Sequence, residues 1–224
     1  MDKRTIRCRG WMLLLPLGFY LAYVLTGAYA FRAGITLSCL AIAAVASRVR
    51  LRSLVVVGLA FSLLGDILLS HSHGRESFFL GGLSAFLVGH LWFIAYCLSH
   101  GRFRPTAFLA LVLPILGLYV LLLRPGISHV AVRCGVVGYA VVSCFSLTSA
   151  FGLRDVGRWS AWLFRAGIAS LFFSDLLIGL QRFGGGTSIY ALMLPTYFLS
   201  QFLLAASMIW AEEIKASHSS RTRR

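Results

Sequence analysis

Two aspartates, Asp66 and Asp175, lie inside long apolar runs of a 224-residue chain that otherwise keeps its acidic residues out of such runs. An ionised carboxylate in hydrocarbon costs about 3 kcal/mol even on lenient insertion scales, so it persists only where it is paired, protonated or in contact with water inside a bundle. Two such groups are the residue types of acid–base chemistry. A carboxyl held neutral by an apolar setting donates a proton, while a second, ionised one stabilises positive charge or activates water. The neighbouring runs add His90, Tyr197 and Gln201, and Ser174 adjoins Asp175. Tyr197 and Gln201 stand one helical turn apart and face the same way.

The elements that must position these residues follow from composition. The chain is 58% hydrophobic and only 12% charged, with a mean hydropathy of +0.83. A soluble domain runs nearer about 45–50% apolar and about 25% charged. An all-α, polytopic membrane helix bundle is therefore expected. Breaking the sequence at charged or polar residues yields eight apolar segments: Trp11 to Phe31, Ala33 to Ser47, Ser53 to Ser70, Phe78 to Ser99, Pro105 to Leu123, Val130 to Phe151, Ser160 to Leu180 and Ser188 to Ala211. Most approach the roughly 20 residues that a spanning helix needs, and the second is the shortest. The reading is a basic N-terminal segment, 1–10, an eight-helix domain, 11–211, and a basic tail, 212–224, with nothing left for a soluble domain.

Basic residues set the expected orientation. Sixteen Lys and Arg fall on one side, from Lys3 and Arg4 through Arg48, Arg102 and Arg154 to Arg224, and five on the other: Arg32, Arg75, Arg124, Arg133 and Arg182. The positive-inside rule then puts both termini in the cytoplasm, and the chain in the plasma membrane if its source is bacterial. The net charge of +14 is dispersed beside helix ends, where anionic headgroups lie, which argues for membrane-lipid partners and against nucleic acid. The run after Lys3–Arg9 is too long for a signal h-region and reads as a retained first helix. Cys8, Cys39, Cys97, Cys134 and Cys144 contain no C-x-x-C and read as packing residues. His71 and His73 belong to a turn, and no metal or other cofactor is expected.

An internal echo links the aspartates. LLGDILLS around Asp66 and FFSDLLIG around Asp175 share a small residue, the acid and aliphatics, and each precedes a polar turn and another span. This reads as a four-plus-four parallel repeat. Rising about 1.5 Å per residue, the third and seventh spans bring the two carboxylates to similar depth. Plainer readings stand beside the chemical one. Each aspartate is open to a structural pairing with Arg75, Arg165 or Arg182. His90 is open to satisfaction by a carbonyl, and Tyr197 and Gln201 to gluing helices together. Gly65, Gly81, Gly82 and Gly89 read as close-packing sites, and Pro195 as a kink.

Gly65-Asp66 closing the third span, Phe86 to His90 in the fourth, Ser174-Asp175 in the seventh and Thr196-Tyr197 with Gln201 in the eighth resemble the YhhN-like membrane proteins, the family that includes the lysoplasmalogenases. That resemblance implies cleavage of the vinyl ether bond of a lysoplasmalogen or related lysolipid to a fatty aldehyde and a glycerophospho-alcohol. It implies Asp66 and Asp175 as the catalytic pair, with His90, Tyr197, Gln201 and Ser174 binding the lysophospholipid substrate. Vinyl ether hydrolysis proceeds through an oxocarbenium ion, so two carboxylates suit it as they suit glycosidases. The competing reading is a small proton- or cation-coupled transporter using the same aspartates. Walker A, G-x-S-x-G and H-E-x-x-H motifs are absent from the sequence. Oligomeric state is not legible at this level.

Overall fold

A computed structural model describes residues 10–46, 51–72, 75–184 and 189–211. The basic N-terminal segment up to Arg9, Cys8, His73 and the tail beyond Ala211 lie outside the described residues. Among the described residues eight α-helices follow one another: α1 (Leu14–Thr26), entered through a 3-10 turn at Trp11–Leu13, α2 (Tyr29–Ala46), α3 (Arg52–Ser70), α4 (Glu76–Ser99), α5 (Pro105–Leu118), α6 (Val130–Phe151), α7 (Arg158–Phe183) and α8 (Tyr190–Ile209). Seven of the described stretches are long and apolar enough to span a bilayer, and Trp11–Thr26 is a shorter apolar helix. Large apolar side chains such as Leu25, Val45, Leu121 and Trp159 are exposed on the outside of the bundle. In water such a surface would be a liability; in hydrocarbon it is the solvated face. The protein is an integral, multi-pass membrane helix bundle.

Local chemistry sets several boundaries. α1 stops at Gly27, which takes φ 66° and donates its N–H to the Tyr23 carbonyl, a left-handed cap that an L side chain rarely adopts. Pro105 opens α5, where a missing N–H costs nothing. Pro114, inside α5, removes one donor, and a π-helical turn follows at Tyr119–Leu123 before a 3-10 turn at Arg124–Gly126. Pro195 interrupts α8. There Ser170 and Ser174 of α7 donate to the carbonyls of Thr196 (2.7 Å) and Met193 (3.1 Å), tying the two helices at the interruption.

The break between the first two helices differs from the sequence expectation. Dividing at charge put Arg32 in a loop and left the second span short. Gly27 ends α1 instead, so Arg32 sits in the first turn of a full-length α2 and α1 is the short helix.

Helix packing repeats between the halves. α3 with α4 and α7 with α8 are the most extensive pairs. α2 lies on α3 as α6 lies on α7, and α1 on α2 as α5 on α6. The halves join where α2 meets α8 and α6 meets α4. Each principal contact of the first four helices thus has its counterpart four helices later, the pattern a parallel duplication produces. Between the halves the rings of Phe93, Tyr96 and Phe164 meet, Phe93 edge-on to Phe164 at 6.3 Å and Tyr96 tilted against Phe164 at 5.1 Å.

Candidate active site

Close approach of α3 and α4 builds the first wall. Gly65, one residue before Asp66, lies under the ring of Phe86; a Cβ there would come within 2.6 Å of that ring. Gly82 and Gly89 are similarly close to Leu69 and to the Gly58 carbonyl, whereas Gly81 has ordinary spacing, with Leu68 at 3.5 Å from a built Cβ. Phe86 in turn stands edge-on to Tyr197 of α8, their centroids 5.8 Å apart. Tyr197 donates its hydroxyl to the carbonyl of Ser62 at 3.0 Å, one turn before Asp66. The helix that follows each aspartate therefore reaches the aspartate-bearing helix of the other half: α8 touches α3 through Tyr197, and α4 touches α7 through His90.

The aspartates keep different company. Asp66 is gripped by Arg32 of α2, whose Nη2 donates to Oδ1 while Nε lies 3.3 Å from Oδ2. That two-point geometry is what a planar guanidinium offers a carboxylate. Asp175 pairs with no arginine among the described residues. Its Oδ2 lies 3.0 Å from His90 Nε2, and Tyr139 of α6 stands edge-on to the His90 ring at 5.6 Å. His90 Nδ1 is buried without a protein partner. By distance from the helix ends Asp66 is about one turn, and Asp175 about two turns, from the end shared with the Gly27 and His71 turns.

None of the arginines weighed from sequence as partners holds an aspartate. Arg165 donates to the carbonyls of Leu153 (2.7 Å) and Ala150 (3.4 Å) and so caps the end of α6. Arg75 lies over Phe78, and Arg182 over Phe79 at 5.4 Å. Arg32 was overlooked because it marked a presumed loop. The turn signal Thr26-Gly27, five residues upstream, would have put it inside a helix.

Two cavities meet at these residues. A polar one of about 580 Å³ is lined by Arg32, Asp66, Ser174, Gln181, Arg182 and Tyr197, with Tyr29 and Ser72 also in its wall. A narrow apolar slot of about 70 Å³ has Asp175 as its one charged side chain. Leu69, Phe79, Phe86 and Ile178 belong to both linings, so the spaces share a wall. Asp66, Asp175, Tyr197 and Ser174 are thus gathered around one paired space, with His90 behind Asp175. Gln201 is not among them. It is fully buried one turn beyond Tyr197, its Nε2 donating to Ser200 Oγ at 3.2 Å. His71 caps α3 through Nδ1, 2.8 Å from the Ile67 carbonyl.

The YhhN family model matches residues 27–208, a stretch that takes in both aspartates, Arg32, His90 and Tyr197. The chain belongs to the YhhN family. Relatives of this YhhN chain include human (Homo sapiens) lysoplasmalogenase TMEM86A, 33% identical over 167 residues, which are 71% of the chain and 66% of the relative. The bovine (Bos taurus) lysoplasmalogenase TMEM86A is 30% identical over the same extent. The YhhN chain spans 66% of the length of these curated relatives. No solved structure matches it.

Proposed function

We propose that this YhhN-family protein hydrolyses the vinyl ether bond of a lysoplasmalogen, or of a closely related lysolipid, to a fatty aldehyde and a glycerophospho-alcohol. The observation that carries the reading is the unequal pair of carboxylates beside one paired cavity: Asp66 bound by a guanidinium, Asp175 by an imidazole. The names of the relatives supply the substrate class.

In this reading a headgroup phosphate enters the polar cavity and meets Arg182 and the outward part of Arg32, since guanidinium groups are suited to phosphate oxygens. Asp175, sharing one proton with His90, gives it to the second carbon of the vinyl ether. The double bond becomes a C–H bond and an oxocarbenium ion. Asp66, committed as an acceptor by Arg32, supplies the fixed negative charge that favours this cation, as glycosidase carboxylates do. Water adds to the first carbon, its proton returning to the Asp175–His90 pair. The hemiacetal then breaks the bond from its carbon to the glycerol oxygen as its hydroxyl proton is passed, through the Asp175–His90 pair, to that oxygen, releasing aldehyde and alcohol, so that one water is consumed in all. The residues named require no metal for these steps.

The test is aldehyde release from lysoplasmalogen by detergent-purified protein, beside Asp66→Asn and Asp175→Asn. Release by the wild type, with each variant lower on the order of 10²–10⁴-fold, is expected. No release by folded wild type would overturn the reading. Activity that appears only in sealed vesicles would point to coupled transport instead.

A further inference from the structure

We infer that the apolar slot beside Asp175 seats the first carbons of the substrate's hydrocarbon chain, and that the chain enters it sideways from the bilayer between α5 and α7. This rests on the proposed reaction and extends it to the route and placement of the lipid.

The lining of the slot decides its occupant. Ile115 and Leu118 of α5, Tyr119 and Leu123 of the π turn, and Phe172 and Leu176 of α7 present hydrocarbon or ring faces, and Asp175 is the one charged group. Tyr139 and Ser143 also line the slot, with buried hydroxyls, but beyond these and that carboxyl the wall is hydrocarbon or ring, which suits an alkyl chain and would strip a charged headgroup of its water with little compensation. The slot also shares Leu69, Phe79, Phe86 and Ile178 with the polar cavity. A molecule with a phosphate end and an apolar end can therefore lie across both. In a lysoplasmalogen the vinyl ether is the junction between those ends. Seating the glycerophosphate by Arg32 and Arg182 and the chain in the slot brings that junction to Asp175.

The route follows from what is closed. At the end nearest the Arg124–Gly126 turn, the Phe79 and Phe183 rings stand edge-on, centroids 5.5 Å apart. Gly126 is seated so tightly on the Phe183 carbonyl that a Cβ would come within 2.2 Å of the oxygen. No chain leaves past that contact. Sideways the wall is thinner. α5 packs along α6 and makes no extensive contact with α7, which is reached by the π turn and the 3-10 turn that follow it. The break that Pro114 introduces thus lets the end of the helix reach α7 while the preceding two turns stand away. Exposed Leu113 and Leu121 continue the surface into hydrocarbon. At about 70 Å³ the slot holds the head of the chain, and the remainder stays among the bilayer lipids.

Two measurements test this on the full-length protein. The first is photolabelling of the wild type with a non-hydrolysable saturated ether lysophospholipid carrying a diazirine near the head of its chain, with adducts mapped by mass spectrometry. Adducts on Ile115, Leu118, Phe172 or Leu176 are expected. Adducts confined to α1 and α2, or spread over the whole lipid-facing surface as an adventitious lipid would give, overturn the slot. The second is aldehyde release by Leu118→Trp and Ile115→Trp from long-chain and very short-chain vinyl ether substrates. Long-chain turnover should fall on the order of tenfold relative to short-chain turnover, the scale at which a hydrophobic pocket discriminates. Equal losses on both substrates by folded variants would overturn the proposal. Wild type that binds the probe in the slot yet releases no aldehyde would overturn the reaction and keep the slot. Aldehyde release with labelling elsewhere would do the reverse.

Discussion

His90 Nε2 lies 3.0 Å from Asp175 Oδ2, joining α4 of the first half to α7 of the second. Its other ring nitrogen is buried with no protein partner, so the histidine is committed to the carboxyl on one side only. Asp175→Asn keeps the shape and a hydrogen bond but removes the transferable proton; aldehyde release should fall on the order of 10²–10⁴-fold while the protein elutes as folded. His90→Gln keeps a polar partner for Asp175 and should lower the rate less, on the order of tenfold, changing kcat more than KM. Equal activity in folded Asp175→Asn and wild type would remove Asp175 from the chemistry.

Arg32 and Asp66 form the complementary case. Replacing Arg32 by Met leaves a buried carboxylate without its guanidinium, and breaking such a pair costs about 3–5 kcal/mol. Removing both charges is much cheaper, because no uncompensated charge remains. Thermal unfolding in detergent should therefore show Arg32→Met far less stable than wild type, and the double variant Arg32→Met, Asp66→Asn recovering a large part of the loss. The double variant should remain inactive. Additive destabilisation would show that the pair is not coupled.

These contrasts mark what the sequence disclosed. Asp66, Asp175, His90 and Tyr197 were legible because a polar side chain in an apolar run is costly and stands out. The echo between the two aspartates was visible in their flanking residues, and the order of helix contacts recurs in the same sense. Arg32 was hidden by a boundary: cutting at charge made it a loop residue, although Gly27 carries the backbone conformation that ends the helix. Gln201 was singled out on a different ground. Spacing of four residues places it on the face of Tyr197 but says nothing about depth. It lies in the packed interior and contributes to neither cavity lining. Cavities are a property of how helices meet, and periodicity within one helix does not encode them.

That interior position yields its own expectation. Gln201→Leu removes a buried amide whose Oε1 has no protein partner, at similar volume. Stability should change little or rise, and aldehyde release should stay within about twofold of wild type, since surface or core changes away from the site leave transition-state contacts intact. A large loss of turnover in a stable Gln201→Leu variant would return this residue to the site.

Gly65 tests the wall between the two cavities. A Cβ at this position would stand 2.6 Å from the Phe86 ring, itself packed edge-on against Tyr197. Gly65→Ala must therefore push Phe86 into one cavity or the other, or part α3 from α4. Overpacking of this kind costs about 1–3 kcal/mol, measurable as a lower unfolding temperature in detergent. Because Phe86 lines both the polar cavity and the slot, turnover should fall further than stability alone explains at a temperature where the variant is fully folded. Phe86→Leu in the same background makes room for the new methyl group and should restore both quantities in part. If it restores stability but not turnover, the ring itself is needed at the junction, holding the chain head against Asp175; if it restores neither, the strain lies in the separation of the two helices.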